Sequence, residues 1–259
     1  MMKTNTERGT GSIQVIDRMA MLLEAIARYT GPVSLKILAA ETGLHPSTAF
    51  RILASLGEHG FVDREGSAYR LGRRLMQLGS RVRSNIDIRQ EALPIMEWLR
   101  DQVGETVNLT LREGDEVIYV ERATPNRMMR VEQVIGSRAP LHVTAVGKLM
   151  LGAESEEAVR DYARRTGLPA YTQNTLNDAD RLLRASRSAV DAGFAYDDEE
   201  AEMGVGCIGA AVRDASGAVI AGLSISAPIE RRREEWAPLL VEAARRLSEH
   251  LGYRGEAAA

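Results

Sequence analysis

The feature that most constrains the fold is a pair of short helices separated by a glycine and followed by two short strands. The segment "LKILAAET" predicts a helix with Ser34 as its N-cap and Gly43 at its end. A second helix has Pro46 in its first turn, where the missing N–H has no cost. "FVDREGSAYRLG" then predicts two strands around a turn at 65–67. With one helix upstream, this order is that of a winged helix–turn–helix.

The upstream helix is predicted from an apolar periodicity that begins after Ser12. Apolar residues recur there at intervals of three and four, and Gly31 with Pro32 ends the helix. Because this spacing places residues on one face of a helix, we expect that face to be buried. The face comprises Ile13, Ile16, Ala20, Leu23 and Ala27.

The third helix carries side chains suited to DNA. A helix–turn–helix places its second helix in the major groove, with the N-terminal residues of that helix at the base edges. Ala49, Leu53 and Leu56 are predicted to face inward, which leaves small hydroxyls and one arginine facing outward. Hydroxyls can approach phosphates, and arginine can bind guanine through two hydrogen bonds. The predicted DNA contacts are Ser47, Thr48, Arg51 and Ser55 on this helix, and Arg64 and Arg70 on the hairpin near backbone phosphate.

Charge supports DNA binding only weakly. The chain carries a net charge of -3, whereas DNA-binding domains usually have a basic footprint. Residues 12–75 contain eight basic and six acidic side chains, a local excess of +2. Two alternatives stay open: a three-helix core with a solvated polar face, and a dimerisation protein whose winged helix binds protein.

Composition predicts a cytoplasmic protein with no membrane contact. No apolar run approaches the roughly 18–20 residues that cross a bilayer. The chain has one cysteine, so it cannot form an internal disulfide or an all-cysteine zinc site.

The sequence divides into a polar tail at 1–11, a winged helix–turn–helix at 12–73, a linker helix at 74–88 and a second domain at 89–253. The linker segment is basic and amphipathic, with Leu75, Leu78 and Val82 on one stripe. This stripe suits pairing with a second subunit, and it equally suits packing on its own wing. The second domain alternates strands with helices, which predicts an α+β fold with an antiparallel sheet and flanking helices.

The stretch "GVGCIG" at 204–209 has the glycine spacing of a dinucleotide-binding fingerprint but lacks its context. That fingerprint needs a strand before the glycines and a helix after them, whereas here acidic residues precede and a strand follows. Cys207 at its centre could be a nucleophile or could bind a metal with His142 and either Asp197 or Asp198, which would make the protein an enzyme. No spacing supports either role, and a lone cysteine is most often a small buried residue. We therefore predict no catalytic residue, no metal and no cofactor.

Six segments together resemble the IclR family of bacterial transcription regulators, from about Ser12 to Gly252. They are "SIQVIDRMAMLLEAIA", "LAAETGLHPSTAFRILASLGEHGFV", "YRLG", "GSRAPLHVTAVGKLML", "GFAYDDEEAEMGVGCIGAAVRD" and "LSISAP". The resemblance implies a winged helix–turn–helix joined by a linker helix to a GAF-like effector domain. It also implies a homodimer or dimer of dimers that binds a partly palindromic DNA operator, with a small organic carboxylate, aromatic acids included, modulating that binding.

The resemblance also implies which residues hold the effector. The backbone N–H groups of Ala145 and Val146 correspond to those that hold the acid group of the ligand in related regulators. The remaining implied contacts are Asp197, Cys207, Ser224 and Ser226, with an apolar wall at Met128, Val131, Ala139 and Val205.

The chemistry of these positions is coherent without the family. Two serines two apart on a strand point to one face. Together with a helix N-terminus they supply neutral donors to a carboxylate. Asp197 would repel that carboxylate, so it fits better as the acceptor of a ligand hydroxyl or as a residue at the other end of the pocket. The alternative is that both serines only satisfy local backbone groups.

Overall fold

The computed structural model describes residues 13–85 and 87–255 and divides the chain into two compact units, Met1–Asn85 and Ile86–Ala259. The tail predicted at 1–11 lies outside the described residues, as does the side chain of Val82. Within the described part of the chain, no helix is both long and apolar enough to cross a membrane.

The first unit is a winged helix–turn–helix followed by a long helix. Its three strands form an antiparallel sheet in the order β1-β3-β2. The elements are α1 (Gln14–Ala27), β1 (Val33–Ser34), α2 (Leu35–Thr42), α3 (Pro46–Glu58), β2 (Val62–Glu65), β3 (Ala68–Leu71) and α4 (Arg73–Asn85).

Local capping explains why α2 and α3 begin and end where they do. The Ser34 hydroxyl accepts the Ile37 N–H at 3.4 Å, and Gly43 takes a left-handed φ of 66° at the end of α2, both as predicted. Pro46 opens α3 as predicted. The predicted inward face of α3 is also confirmed, because Ala49, Leu53 and Leu56 are all buried in the core of this unit.

The predicted buried face of α1 is wrong. The helix contacts the core through Leu22, Ala25 and Ile26 instead. Apolar side chains surround much of α1, so two different sets satisfy helical spacing and periodicity cannot choose between them. Of the five predicted positions, only Leu23 is partly buried, and the exposed ones are Ile13, Ile16, Ala20 and Ala27.

The second unit is a six-stranded antiparallel sheet with helices on both faces, which confirms the predicted fold class. The strands lie in the order β6-β5-β4-β9-β8-β7. The elements are α5 (Ile88–Val103), β4 (Thr106–Glu113), β5 (Glu116–Ala123), β6 (Arg138–Pro140), α6 (Ala145–Gly152), α7 (Glu156–Thr166), α8 (Ala179–Ala192), β7 (Phe194–Asp198), β8 (Val205–Arg213), β9 (Val219–Pro228) and α9 (Trp236–His250).

The sequence predicts helices of the second domain at 92–104, 144–151, 155–165 and 178–192, and a last helix from about Arg231 to Leu251. Three of them match α6, α7 and α8, whereas α5 begins four residues earlier than predicted because Asp87 caps it. Thr144 and Asp178 cap α6 and α8, and Gly193 ends α8, as the sequence predicts. The last helix begins at Trp236 rather than near Arg231, because the chain first makes a short 3₁₀ turn.

The two faces of this sheet differ in chemistry. Val107, Leu109 and Ile225 belong to an apolar face that packs against α5 and α9. The opposite face of the same strands presents polar side chains, and α6 packs against it at β8. A polar sheet face that is buried in this way is where a ligand site can form.

Candidate functional site

The outward face of α3 brings the predicted DNA contacts together. Ser47, Arg51 and Ser55 are exposed, and Thr48 is half-buried beside them. The first turn is held by His45, whose Nδ1 accepts the Ser47 N–H at 3.4 Å and lies 2.8 Å from the Ser47 hydroxyl. The end of the helix that would meet base edges is therefore ordered without DNA.

The two hairpin arginines differ in how freely they could meet phosphate. Arg64 is exposed, and its Nε donates to the Gly66 carbonyl at 2.8 Å, which stabilises the turn. Arg70 forms an ion pair with Glu65 at 2.7 Å and lies 3.8 Å from the Asp63 carboxylate. Because two carboxylates offset its charge, Arg70 would have to exchange partners to bind phosphate, whereas Arg64 would not.

A row of buried polar side chains crosses the second unit. Strand register aligns Thr106 with Ser226, Ser226 with Cys207, and Cys207 with Asp197. Because directly paired residues of an antiparallel sheet point to the same face, all four side chains share one face. All four are buried. Three of the predicted effector contacts, Asp197, Cys207 and Ser226, therefore lie side by side.

Asn108 adds an unsatisfied acceptor beside this row. Its amide Nδ2 donates to the Ser226 hydroxyl at 3.1 Å, and the Ser226 hydroxyl lies 3.2 Å from Cys207 Sγ. The Asn108 side chain is 0% exposed, and its Oδ1 has no partner among the described residues. An orphaned buried acceptor is unfavourable unless a donor reaches it.

The N-terminus of α6 lies against the neighbouring row. A Cβ atom at Gly209 would lie only 2.8 Å from the Val146 amide nitrogen, so the first turn of α6 sits directly on β8. Gly209 pairs with Ser224, and no hydrogen bond among the described residues uses the Ser224 hydroxyl. Thr144 Oγ1 accepts the Gly147 N–H at 3.1 Å. This cap leaves the N–H groups of the first two residues of α6 to bind an anion.

Asp197 is a buried carboxyl group in an unfavourable setting. Its Oδ1 accepts the Glu200 N–H at 2.8 Å. Burial raises the pKa of Asp197 to about 6, and the nearby Glu200 carboxylate adds to this effect. Lys148 forms a buried ion pair with Glu200, whose Oε2 has no partner in the described part of the chain. Two carboxylates and one ammonium group are thus buried together.

The predicted apolar wall is only partly assembled. Val205 packs against the cluster that contains Ala145 and Cys207. Val131 reaches the row through its carbonyl, which accepts the Thr106 hydroxyl at 2.6 Å. Two positions lie elsewhere: Ala139 packs in a neighbouring cluster around Leu141, and Met128 is fully exposed. The structure does not place Met128 in the wall because the loop that carries it points this side chain into solvent.

The glycines of 204–209 make room for protein neighbours. At Gly206 a Cβ atom would lie 2.5 Å from Ile229 Cδ1, and at Gly209 it would meet the first turn of α6. The stretch forms the start of β8 rather than a loop before a helix, so it cannot cradle a pyrophosphate.

Neither Cys207 nor His142 has the surroundings that a catalytic nucleophile or a metal ligand needs. Burial raises the pKa of the Cys207 thiol far above its ordinary value, so the thiol stays protonated. His142 is held by the Tyr162 hydroxyl at 2.9 Å from Nδ1 and the Pro169 carbonyl at 3.0 Å from Nε2. Neither ring nitrogen is available to a metal, and no group of three metal-ligating side chains occurs among the described residues.

Sequence reasoning missed Asn108, Thr106, Lys148 and Glu200. In the sequence of β4, Val107, Leu109 and Leu111 alternate with polar residues and identify the apolar face, but alternating strands usually turn their polar face to water. A signal was present at Lys148, because the helix around it is apolar on all sides, and such helices are buried.

Comparison with known proteins assigns both units. The chain matches the IclR helix-turn-helix domain over residues 15–66 and the bacterial transcriptional regulator IclR C-terminal domain over residues 80–253. It is 32% identical to the transcriptional repressor IclR of Escherichia coli strain K12, over 96% of this chain and 93% of that protein.

Solved structures share the fold. The repressor BlcR of Agobacterium tumefaciens is 27% identical, with a TM-score of 0.74 over 94% of this chain and 99% of that one. An IclR homolog of Microbacterium hydrocarbonoxydans complexed with 4-hydroxybenzoate is 26% identical, with a TM-score of 0.59 over 92% and 98% of the two chains. The chain therefore belongs to the IclR family of bacterial transcriptional regulators, and it is a DNA-binding regulator rather than an enzyme.

Proposed function

We propose that this regulator binds a partly palindromic DNA operator as a homodimer or dimer of dimers, and that a small organic carboxylate in the second unit modulates this binding. The observation that carries the proposal is the buried polar row beside Asn108, whose Oδ1 lacks a donor. Such a cluster is unfavourable in an ordinary core, so a ligand that completes its hydrogen bonds explains it.

The acid group of the ligand is proposed to lie at the start of α6. The backbone of Ala145 and Val146 meets β8 there at Gly209, which pairs in register with Ser224 on β9. Backbone amides at a helix N-terminus and a neutral hydroxyl suit a carboxylate because they donate hydrogen bonds without carrying charge into the core.

The opposite end of the ligand is proposed to carry a hydrogen-bond donor such as a hydroxyl group. The Asp197 carboxylate, on β7 and two strands from Ser224, is an acceptor, and a second carboxylate there would be repelled. A hydroxylated aromatic acid has both ends, and 4-hydroxybenzoate is the ligand of the Microbacterium homolog.

The DNA-contacting surface is proposed to be the outward face of α3 with the hairpin. Ser47, Thr48, Arg51 and Ser55 supply contacts to bases and phosphates, and Arg64 is the hairpin residue best placed to add one. Arg70 contributes after it exchanges its carboxylate partners.

The test is the binding of carboxylates by calorimetry, starting from a thermal-shift panel that pairs plain acids with hydroxylated ones, benzoate and 4-hydroxybenzoate included. Ser224→Ala combined with Ser226→Ala should weaken the best binder at least tenfold, since a hydrogen bond to a charged group is worth about 1.5–3 kcal/mol.

Ser186→Ala is the matched control, because Ser186 is a buried serine on α8 whose hydroxyl has no partner among the described residues. The Ser186→Ala variant should bind the carboxylate as tightly as the wild type does. Unchanged affinity in a folded double variant would remove these serines from the site, and a panel without any binder would refute a carboxylate effector.

A further inference from the structure

Helix α3 exposes one large apolar side chain that the core does not use. Phe50 is 43% exposed, and it is absent from the cluster of apolar residues that packs beneath α3. Every other large apolar side chain of this helix, from Ile52 to Leu56, is buried. A single exposed phenylalanine is ordinary on a protein surface, so the position of Phe50 on the helix, rather than its exposure, must indicate its partner.

Phe50 lies on the same outward face as the predicted DNA contacts. Phe50 is three positions after Ser47 and directly before Arg51 in the sequence. At 3.6 residues per turn, both of these side chains lie beside Phe50 on the exposed side of the helix. Ala54 follows one turn later and is also exposed. The hydroxyl and guanidinium groups thus occupy one side of the face, and an apolar strip of Phe50 and Ala54 occupies the other.

Major-groove chemistry offers one apolar partner for such a strip. Thymine is the only base with a methyl group at the groove edge, and phenylalanine and alanine are side chains that contact it. Hydrogen-bond donors and acceptors on the other bases would be left unpaired against a phenyl ring. We propose that Phe50 reads a thymine methyl group and so specifies an A·T pair at one position of each operator half-site.

The surroundings favour DNA over a second protein chain as the partner of Phe50. The ring lies in the N-terminal half of α3, the part of a recognition helix that reaches base edges. Hydroxyl and guanidinium groups lie beside it, whereas a larger exposed apolar group of this unit lies at the start of α1, at Ile13, Val15 and Ile16. The inference rests on the proposed placement of α3 in the major groove.

The experiment uses a DNA duplex that the wild-type full-length protein selects from a random-sequence pool. Each thymine of this duplex is replaced in turn by deoxyuridine, which removes only the methyl group. At one position of each half-site, the replacement should lower the wild-type affinity about fourfold, the loss expected for one buried methyl group. The Phe50→Ala variant should bind the unmodified duplex more weakly and should not respond to deoxyuridine at that position.

Two controls separate the possible failures. Ile37→Ala removes an equally exposed apolar side chain from α2 and should keep the wild-type response to deoxyuridine. Arg51→Ala should weaken binding, and if it does not, α3 is not in the groove and the proposed DNA surface fails. If Arg51→Ala weakens binding while no deoxyuridine affects the wild type, only the assignment of Phe50 fails. A Phe50→Ala protein whose sedimentation shows a changed oligomeric state would assign the ring to a subunit contact and also overturn the proposal.

Discussion

Asp197 and Asn108 are arranged against the usual rules for a protein core. A buried carboxyl group normally has a cationic partner, but Lys148 forms its ion pair with Glu200 rather than with Asp197. A buried amide oxygen normally has a donor, but Asn108 Oδ1 has none in the described structure. Proteins violate such rules mainly where a ligand will complete the arrangement, and the excess of acceptors here predicts a ligand that brings donors.

The raised pKa of Asp197 predicts how stability depends on pH. Its pKa of about 6 exceeds the ordinary value near 4, so between these values the folded state binds more protons than the unfolded state. Stability from this group is therefore present below pH 4 and is lost as the pH rises through 6. Asp197→Asn should stabilise the second unit by roughly 2–3 kcal/mol at pH 7.5 and should have little effect at pH 4.

Urea unfolding followed by tryptophan fluorescence measures this effect, because Trp98 and Trp236 both lie in the second unit. Asp115→Asn is a control of opposite sign. The Arg165 guanidinium lowers the pKa of Asp115, so its contribution exists at neutral pH and is lost in acid. An Asp197→Asn protein less stable than the wild type at pH 7.5 would contradict the assignment.

The contact between α6 and β8 places the helix N-terminus at the site, and Gly209 permits it. An alanine at this position would push its methyl group to within 2.8 Å of the Val146 nitrogen and 3.0 Å of the Ala145 carbonyl carbon, both backbone atoms that cannot turn aside. Gly209→Ala should therefore destabilise the second unit by about 1–3 kcal/mol and abolish carboxylate binding.

Gly206→Ala is the matched comparison in the same strand. Its nearest neighbour is the flexible end of the Ile229 side chain, which can move away. Calorimetry with the best-binding carboxylate and urea unfolding should show a smaller loss for Gly206→Ala than for Gly209→Ala. Equal behaviour of the two variants would mean that α6 does not position the acid-binding amides.

The elements differ in how far the sequence predicts them. Local chemistry sets the ends of α2, α6 and α8, because a capping hydroxyl or carboxylate lies beside each helix start in the sequence. The buried role of Asn108 depends on α6, which is distant in sequence and packs over the same sheet face. Periodicity failed on α1 for a similar reason, since the choice between its two apolar faces is made by the helices around it.

At the scale of the whole molecule, the failed prediction on α1 has a functional meaning. The side chains of Ile13, Val15 and Ile16 are more than half exposed, although each could bury substantial apolar area. Exposed apolar groups of this size are typical of surfaces that contact another chain. A partly palindromic operator requires two copies of α3 related by two-fold symmetry, so a second copy of this unit is the partner that the proposed function demands.

We therefore expect Val15→Glu with Ile16→Glu to weaken self-association of the full-length protein. Two charges would replace two apolar side chains, each of which contributes about 1.5–3 kcal/mol when buried, so the dimer dissociation constant should rise at least roughly a hundredfold. Sedimentation velocity across a range of protein concentrations measures the change. Ile37→Glu is the control, because it places the same charge at an exposed apolar position on α2 and should leave association unchanged.

The charged α1 variant should also lose affinity for the selected duplex. A single subunit binds only one half-site, whereas in a dimer the binding of one half-site raises the effective concentration of the second subunit at the other half-site. A variant that still sediments as the wild type would show that the dimer forms through another surface, with the stripe of α4 at Leu75 and Leu78 as the next to test.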